Sequence, residues 1–363
     1  MVKLLIVDDS ALMRRQLTQI FAAAGGFEIR QARNGRDAVE LNREFEPDVV
    51  TLDINMPEMD GLTALSHIMA ERPVAVVMVS SLTEKGALAT FEALHLGAVD
   101  FIAKPDGTIS LSIDRITQEL VAKVHAAARA RIKGRACAVK GLALRLREER
   151  ESRQQRAAPS AAPCAVAPRA PAQGGLVIVG VSTGGPRALE EVLAPLPGDF
   201  PWPVLIAQHM PRAFTKSLAE RLDQLCALRV VEVAAPVPVE PGTVYIARGG
   251  ADMVVAPRAG RLHVLVKPES PLHLWHPSVE LLGRSVLEHC DPAQVTAVML
   301  TGMGDDGAQA FAEIKQRGGR TIAESQESCV VFGMPKELIA QRGASLVLAA
   351  EKIAAQLVAW AGR

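Results

Sequence analysis

A serine between two glycines stands where the sequence changes from an apolar run to a helix-prone one. Residues 176–179 (LVIV) favour a strand, the pentapeptide GVSTG contains Ser182, and residues 187–193 (RALEEVL) favour a helix. A strand that enters a sharp, glycine-flanked turn before a helix lifts a serine hydroxyl clear of its sheet. Glycine suits such a turn because it tolerates positive φ and close backbone approach. The pattern predicts a nucleophilic serine, which still requires a base, an orienting acid and oxyanion donors.

Two later apolar runs end in residues that could supply the base and the acid. One strand-like run ends at His209, and another ends before a glycine-rich loop that contains Asp305 and Asp306. Ligands of open α/β sheets gather outside the carboxyl ends of the strands. We therefore predict that Ser182, His209 and one of the two aspartates converge as nucleophile, general base and orienting acid. Their order along the chain differs from that of ordinary α/β-hydrolases, in which the acid precedes the histidine.

Each of these segments also has a structural interpretation. A Ser-Thr-Gly-Gly stretch before a helix is a good anion-binding N-terminus, in which Ser182 or Thr183 would cap the helix. His209 could be a packed residue, and either aspartate could cap the helix that follows it. The pair His273 and His276 suggests a metal site. No cysteine or acidic cluster accompanies that pair, so metal-dependent hydrolysis is disfavoured.

The first third of the chain repeats a strand–helix unit five times. The predicted strands occupy residues 3–7, 27–32, 48–53, 74–79 and 99–103, and the predicted helices occupy residues 11–24, 36–45, 62–71, 85–96 and 111–130. Such alternation predicts an α/β fold with a parallel sheet covered by helices on both faces. Right-handed crossovers favour the flavodoxin-like strand order 2-1-3-4-5.

That topology brings three carboxylates to one edge of the predicted sheet. Asp8 and Asp9 follow the first strand, and Asp53 ends the third. Clustered carboxylates repel one another and raise their pKa values unless a cation neutralises them, and Mg²⁺ is the natural oxygen-liganded cation. Asp53 could then accept a phosphoryl group, with Ser80 and Lys104 at neighbouring strand ends to bind its oxygens. A single aspartate could be a solvated loop residue. Matching residues at several strand ends are not explained in that way.

Residues 1 to about 125 resemble a response-regulator receiver domain. The segments that carry the resemblance are VDDS at 7–10, DINMP at 53–57, DG at 60–61, Ser80 and KP at 104–105. The resemblance implies phosphorylation of Asp53. Its implied Mg²⁺ ligands are Asp9, Asp53 and the Asn55 backbone carbonyl, with Asp8 close by. Its implied phosphoryl-binding and switch residues are Ser80, Phe101 and Lys104.

Residues from about 175 to the end resemble the catalytic domain of the chemotaxis protein-glutamate methylesterases. The matching segments are STGGP at 182–186, QHMP at 208–211 and TGMGDDGA at 301–308. The resemblance implies that Ser182 is the nucleophile and His209 the base. It selects Asp306 over Asp305 as the acid, and it assigns the oxyanion contact to the backbone amide of Met303.

Together the two resemblances imply a phosphorylation-activated enzyme of chemotactic adaptation. It would remove methyl groups from glutamate methyl esters of chemoreceptors, release methanol and deamidate receptor glutamines. The implied partners are a chemotaxis histidine kinase and the cytoplasmic domains of chemoreceptors, and Mg²⁺ would serve only the receiver. The unphosphorylated receiver is expected to cover the rim that holds Ser182. One departure from the family is His276, which replaces a usual arginine and alters a substrate-side or structural contact.

The composition agrees with a cytoplasmic enzyme. Apolar residues make up 49% of the chain, yet no apolar stretch is long enough to span a bilayer. The five cysteines follow no disulfide pattern, which favours a reducing compartment. The formal net charge is zero, so nothing global suggests a nucleic-acid partner.

The middle of the chain differs from both halves. Residues 129–156 contain ten Lys or Arg against three Glu, and residues 157–172 are rich in Ala and Pro. We interpret them as a basic segment followed by an extended tether, with docking onto an acidic partner as the alternative. The predicted organisation is a receiver domain at 1–125, a linker at 126–173 and a doubly wound, mostly parallel hydrolytic domain at 174–363.

Three other functions fit parts of the sequence. A transcriptional response regulator would need a DNA-binding output, but the second half has three catalytic-looking strand ends instead. A general esterase would act on small esters. A non-catalytic interaction module would keep the fold and tolerate loss of the Ser182 hydroxyl.

Overall fold

The first part of the chain forms a parallel sheet between two layers of helices. The computed structural model describes residues 1–80, 83–104, 113–130 and 175–362. The strands of the first sheet are Val2–Val7 (β1), Phe27–Ala32 (β2), Val49–Asp53 (β3), Ala75–Ser80 (β4) and Asp100–Ala103 (β5). They pair in the order β2-β1-β3-β4-β5, every pair parallel, so the predicted strand order is confirmed.

Helices alternate with these strands because local capping signals define their ends. The helices are Ala11–Ala24 (α1), Gly35–Glu44 (α2), Gly61–Glu71 (α3), Glu84–Leu96 (α4) and Ile113–Ala128 (α5). Ser10, Asn34 and Asp60 cap the first three by accepting a hydrogen bond from the backbone amide three residues later. Each predicted helix is therefore present, with bounds that shift by at most two residues.

The second part of the chain is built on a larger parallel sheet. Its strands are Leu176–Val181 (β6), Val204–Gln208 (β7), Arg229–Val233 (β8), Thr243–Ala247 (β10), Val295–Met299 (β13), Arg320–Glu324 (β14) and Leu346–Leu348 (β15). They pair in the order β15-β14-β13-β6-β7-β10-β8. The central strands are apolar and buried on both faces, which is typical of a parallel sheet that helices cover on both sides.

A small antiparallel sheet and six helices complete this part. The antiparallel strands are Val237–Pro238 (β9), Asp252–Arg258 (β11) and Arg261–Lys267 (β12), paired in the order β11-β12-β9. The helices are Gly185–Leu193 (α6), Arg212–Leu225 (α7), Val279–His289 (α8), Ala308–Gln316 (α9), Met334–Ala340 (α10) and Ala350–Trp360 (α11). The predicted mostly parallel α/β fold is confirmed, and the antiparallel sheet is an addition that the sequence analysis did not contain.

The position of β6 decides where a site can form. The chain runs from β6 to β7 on one side of it, and β13 returns later to the other side. The carboxyl ends of β6, β7 and β13 therefore meet where the strand order reverses, which is where open α/β sheets bind ligands.

The described residues test the predictions for the linker, the cysteines and membrane spans only in part. The predicted linker falls largely on residues 131–174, which lie outside the described residues. Among the described cysteines, Cys226, Cys290 and Cys329 are free thiols. Of the described helices, none has both the length and the apolarity needed to cross a membrane.

Candidate active site and phosphorylation site

Ser182 lies in a tight turn between β6 and α6. Gly184 has a φ of +79° and is the N-cap of α6, with no side-chain cap. The capping interpretation of Ser182 and Thr183 is therefore wrong. The turn is closed by a 2.8 Å hydrogen bond from Gly185 N to Ser182 O, and Ser182 N donates to Thr301 O at 3.0 Å. These bonds hold the serine at the carboxyl end of its strand.

His209 and Asp306 form a buried pair next to this turn. His209 Nε2 lies 2.7 Å from Asp306 Oδ2, and both side chains are less than a tenth exposed. His209 N donates to Val181 O at 3.0 Å, so the histidine directly follows the partner strand of β6. His209 Nδ1 is buried and has no hydrogen-bond partner among the described residues. One ring nitrogen is thus committed to the carboxylate, and the other is available.

The N-terminus of α8 holds Asp306. Its carboxylate accepts hydrogen bonds from Ser278 Oγ at 3.1 Å, Val279 N at 2.7 Å and Glu280 N at 2.9 Å. Burial raises the pKa of Asp306, but the hydrogen bonds from His209 and from these amides lower it by a larger amount. The net pKa of Asp306 is therefore below the ordinary value. Asp305 is exposed, and the helix after both aspartates is capped by Gly307 without a side-chain bond. The expectation that either aspartate caps that helix is wrong.

The loop after β13 runs directly against the serine. A Cβ added to Gly302 would lie 2.7 Å from Ser182 Cβ and 2.5 Å from Met334 Sδ, so only glycine fits there. Met303 follows in this loop, and no described group accepts a hydrogen bond from its backbone amide. An amide without an acceptor beside the serine is suited to bind a developing oxyanion.

A buried carboxylate fixes the base of the same loop. Glu324, at the end of β14, accepts a 2.7 Å hydrogen bond from Thr301 N and a 2.8 Å bond from Ser328 Oγ. Burial raises the pKa of Glu324 more than these hydrogen bonds lower it, so its net pKa is above the ordinary value. Thr301 Oγ1 in turn donates to Thr183 O at 2.9 Å. Glu324 carries no motif that identifies it in the sequence, because its role depends on a contact between β14 and the loop after β13.

Trp275 contacts His209 at the edge of the site, and no motif in the sequence indicates this contact. Its ring is stacked on that of His209, with centroids 5.6 Å apart and planes 12° from parallel. The neighbouring His276 is buried, and its Nδ1 lies 2.7 Å from Asp252 Oδ1. His276 therefore makes a structural contact, and the suggested metal pair with His273 is wrong, because His276 Nε2 bonds the backbone oxygen of His273.

The first sheet brings its predicted carboxylates together. Ligand oxygens of Asp8, Asp9 and Asp53 all lie within 4.8 Å of one another. Asp8 and Asp53 are buried, whereas Asp9 is exposed. Three carboxylates with one open side form an oxygen donor set of the kind that Mg²⁺ takes, so these residues fit the cation.

Lys104 neutralises two of these carboxylates. Its Nζ lies 3.0 Å from Asp8 Oδ2 and 2.9 Å from Asp53 Oδ2. The pKa of Asp53 is raised mainly by burial and only to a smaller degree by Asp8, while Lys104 and the Asn55 backbone amide oppose the rise. Repulsion between carboxylates, the expected cause, is thus secondary to burial. The neighbouring Ser80 is buried at the end of β4.

Phe101, the expected switch residue, reaches the second part of the molecule. Its buried ring lies 4.5 Å, centroid to centroid, from that of Phe214 in α7. The preceding Asp100 accepts a 2.5 Å hydrogen bond from Thr183 Oγ1, the residue next to Ser182. Lys123 Nζ lies 3.6 Å from Asp100 and donates to the backbone oxygen of Phe101 at 3.0 Å. The face formed by β5 and α5 is thereby joined to the serine turn.

Helix α4 adds a polar contact to the same interface. Arg221 Nη2 of α7 lies 2.7 Å from His95 Nε2 of α4, and Arg221 Nε donates to Glu190 at 2.6 Å. The same His95 nitrogen lies 3.2 Å from Glu190 Oε2. Burial raises the pKa of Glu190, but its interactions with His95 and Arg221 lower it by a larger amount. The net pKa of Glu190 is therefore below the ordinary value. We call the contacts of His95, Asp100 and Phe101 with Arg221, Thr183 and Phe214 the domain interface.

Both halves of the chain are similar to known protein families. Residues 177–357 match the family model described as CheB methylesterase, and residues 4–113 match the response regulator receiver domain. A protein-glutamate methylesterase/protein-glutamine glutaminase of Rhodospirillum rubrum is 55% identical over 363 residues, which is 100% of this chain and 97% of the relative. A protein of the same description from Rhodopseudomonas palustris is 52% identical and covers 99% of this chain and 98% of its own. The crystal structure of the Thermotoga maritima CheB methylesterase catalytic domain matches with a TM-score of 0.50 at 40% identity, over 52% of this chain and 100% of that chain.

Proposed function

Because the chain belongs to the family of protein-glutamate methylesterases/protein-glutamine glutaminases, we propose that it hydrolyses glutamate methyl esters of chemoreceptors with Ser182, His209 and Asp306. The same site hydrolyses receptor glutamine side chains to glutamate. The observation that carries the proposal is the buried His209–Asp306 bond at the strand end beside the serine turn.

The acylation step uses the free nitrogen of His209. Ser182 Oγ attacks the γ-carbonyl carbon of the glutamate ester, and its proton passes to His209 Nδ1. The bond from that carbon to the methoxy oxygen then breaks, and the proton on Nδ1 leaves with the methoxy group as methanol. Asp306 stabilises the imidazolium that exists between these two transfers, as an orienting carboxylate does in other triads.

The deacylation step repeats this proton transfer with water. Water attacks the glutamyl ester of Ser182, His209 Nδ1 takes its proton, and the serine oxygen is protonated as it leaves. In both steps the Met303 backbone amide donates to the oxyanion. A donor of this kind contributes roughly 10²–10³-fold in rate. We propose no cofactor for these steps.

A labelled receptor tests this function. Wild-type protein is expected to release the methyl label and to convert receptor glutamine to glutamate, while Ser182→Ala does neither. Ser66→Ala is the matched control, because within the described part of the chain the Ser66 hydroxyl bonds only the backbone of its own helix, at 3.0 Å to Leu62 O. Full demethylation by Ser182→Ala would identify a non-catalytic output, and equal turnover of unrelated small esters would indicate a general esterase.

We further propose that the first domain regulates this chemistry through phosphorylation of Asp53 by a chemotaxis histidine kinase. Asp8, Asp9, Asp53 and the Asn55 carbonyl would hold Mg²⁺, which would supply positive charge for phosphoryl transfer. Lys104 binds a phosphoryl oxygen, and the Ser80 hydroxyl donates a hydrogen bond to another as Phe101 changes position. Phosphorylation thus biases a two-state element.

The domain interface supports an inhibited state without phosphate. Ser182 is 5% exposed, and Thr183 beside it is bonded to Asp100. A receptor segment has to reach the serine, so the interface must loosen before substrate binds. Movement of Phe101 away from Phe214 would remove an apolar contact from the domain interface.

The proposed organisation assigns residues 1–125 to the receiver, 126–173 to the linker and 174–363 to the catalytic domain. The family matches lie inside the first and last of these ranges. We place the reaction in the cytoplasm, where a kinase and the receptor segments are accessible and where free thiols such as Cys226 and Cys290 persist.

A further inference from the structure

Trp275 contacts the proposed general base through a ring face. Its indole is stacked on the imidazole of His209, with centroids 5.6 Å apart and planes 12° from parallel. The hydrogen bond to Asp306 fixes one edge of the imidazole, but a ring held at one edge can still tilt about that bond. A flat surface against its face removes this freedom. Offset-stacked aromatic rings attract one another beyond their buried area.

The segment that carries Trp275 is anchored on both sides by a single buried carboxylate. Asp252 accepts hydrogen bonds from Ser270 N at 2.9 Å and from Ser278 N at 2.8 Å, which flank the indole in sequence. His276 adds a third bond at 2.7 Å. Because His276 directly follows Trp275, this anchor fixes the backbone from which the indole extends. The replacement of the usual arginine by His276 is thereby given a structural role.

Burial alone does not account for the position of Trp275. The side chain is only partly buried, and its neighbours Leu272 and Leu274 are 89% and 54% exposed. The segment therefore lies at the surface and not in the core. Trp275 Nε1 would lie 3.5 Å from a Cβ on Gly304, so the indole contacts both the base and the loop that contains Met303.

We propose that Trp275 is a positioning residue that holds the imidazole of His209 in the orientation in which Nδ1 faces Ser182. This inference rests on the proposed function, because it takes His209 to be the general base. Trp275 acts through His209 and does not itself react. Misplacement of a catalytic group lowers turnover more than it weakens substrate binding.

Three variants test the inference in the full-length protein. Trp275→Leu keeps apolar volume but removes the flat ring, and its kcat on methylated receptor is expected to fall about three- to tenfold with little change in KM. Trp275→Phe restores a stacking face and should recover most of the loss. Leu272→Ala, an exposed position on the same segment, is the matched control and should leave both parameters unchanged.

A second readout is independent of activity. Stacking on an indole shifts the imidazole proton resonances of His209 upfield, and these resonances are assigned by their absence in His209→Gln. Trp275→Leu is expected to move them downfield, and Trp275→Phe to keep part of the shift. A merely structural role elsewhere in the fold would not change these signals.

The outcomes separate the inference from the function on which it rests. A raised KM with unchanged kcat in Trp275→Leu would mean that the indole binds substrate, and it would overturn the positioning role. Unchanged His209 resonances would overturn the stacking itself. Full activity in Ser182→Ala would instead reject the proposed hydrolase while the resonance shift still reports on the ring contact.

Discussion

At the scale of single residues, the proton on His209 follows from its partner. A carboxylate only accepts hydrogen bonds, so the 2.7 Å contact with Asp306 places the proton on Nε2 and leaves Nδ1 as the base. In the Ser-His-Asp triad of chymotrypsin the two nitrogens have the opposite assignment. Both the chain order and the ring orientation therefore differ from that triad, while the three roles are the same.

The choice between the two adjacent aspartates yields a sharp prediction. Asp306→Asn removes the negative charge beside His209 and is expected to lower kcat by roughly 10³–10⁴-fold. It also places an amide NH₂ against backbone donors, which costs about 1–3 kcal/mol of stability. Asp305→Asn is the matched control because Asp305 is exposed, and it should retain wild-type turnover. Kinetics on methylated receptor, with circular dichroism to verify folding, decides between them. Equal losses in both variants would contradict the assignment.

The catalytic residues could be proposed from the sequence, but the contacts that orient them could not. Ser182, His209 and the aspartate pair follow apolar runs, so their positions at strand ends could be predicted. The ring orientation of His209 could not, because it depends on how α8 approaches Asp306. Trp275 and Asp252 carry no motif of their own, and their contacts form only when the segment between β12 and α8 folds back over the rim.

At the scale of elements, the loop between β13 and α9 is the part that the site depends on most. Thr301 joins it to the serine turn, and Glu324 joins it to β14. The amide of Thr301 donates to the Glu324 carboxylate, whose pKa is raised by burial. These bonds hold the start of the loop that contains Met303 against the serine turn.

Glu324 predicts a specific pH dependence of stability. Its pKa in the folded protein is raised above the ordinary value of 4.5, mainly by burial. The protonated form is therefore favoured by folding, so the free energy of unfolding is fully retained below the ordinary pKa and falls as pH rises through the folded pKa. Glu324→Gln cannot ionise and should lack this fall.

Urea unfolding of wild type and Glu324→Gln at a series of pH values measures the effect. The stability of Glu324→Gln relative to wild type should increase from acidic to neutral pH. Glu191 adds to the raised pKa, so Glu191→Gln should reduce the slope without removing it. A difference between the proteins that does not vary with pH would show that Glu324 keeps an ordinary pKa.

At the scale of the whole molecule, the strand order of the first sheet, the mostly parallel character of the second and the cover over the serine rim could be predicted, but the residues that make the contact could not. The alternation of strands and helices in residues 1–125 leaves few topologies under the right-handed crossover rule, and the favoured one is observed. The domain interface involves Asp100, Thr183 and Phe214, which lie far apart in sequence. No local pattern reports on such a contact.

The interface predicts a variant that is active without phosphate. His95→Ala removes one partner of Arg221 and of Glu190 without touching the serine, and its basal esterase rate is expected to rise about two- to fivefold, the effect of losing one partly exposed polar cluster. His67→Ala is the matched control, since His67 pairs with Glu71 of its own helix. Esterase assays without phosphodonor measure both.

Asp53→Asn completes that experiment. It should keep the basal rate but lose the response to a small-molecule phosphodonor, whereas His95→Ala should retain a smaller response. An Asp53→Asn protein whose rate still rises with phosphodonor would contradict the regulatory role of Asp53. An unchanged basal rate in His95→Ala would show that this contact does not restrain the catalytic domain.

Rapid acid quench of the protein with methylated receptor, followed by mass spectrometry, tests the central chemistry most directly. We expect a receptor peptide joined by a glutamyl ester to Ser182, formed together with the first equivalent of methanol and missing in Ser182→Ala. Methanol release at the wild-type rate by Ser182→Ala, with no such adduct in either protein, would contradict it.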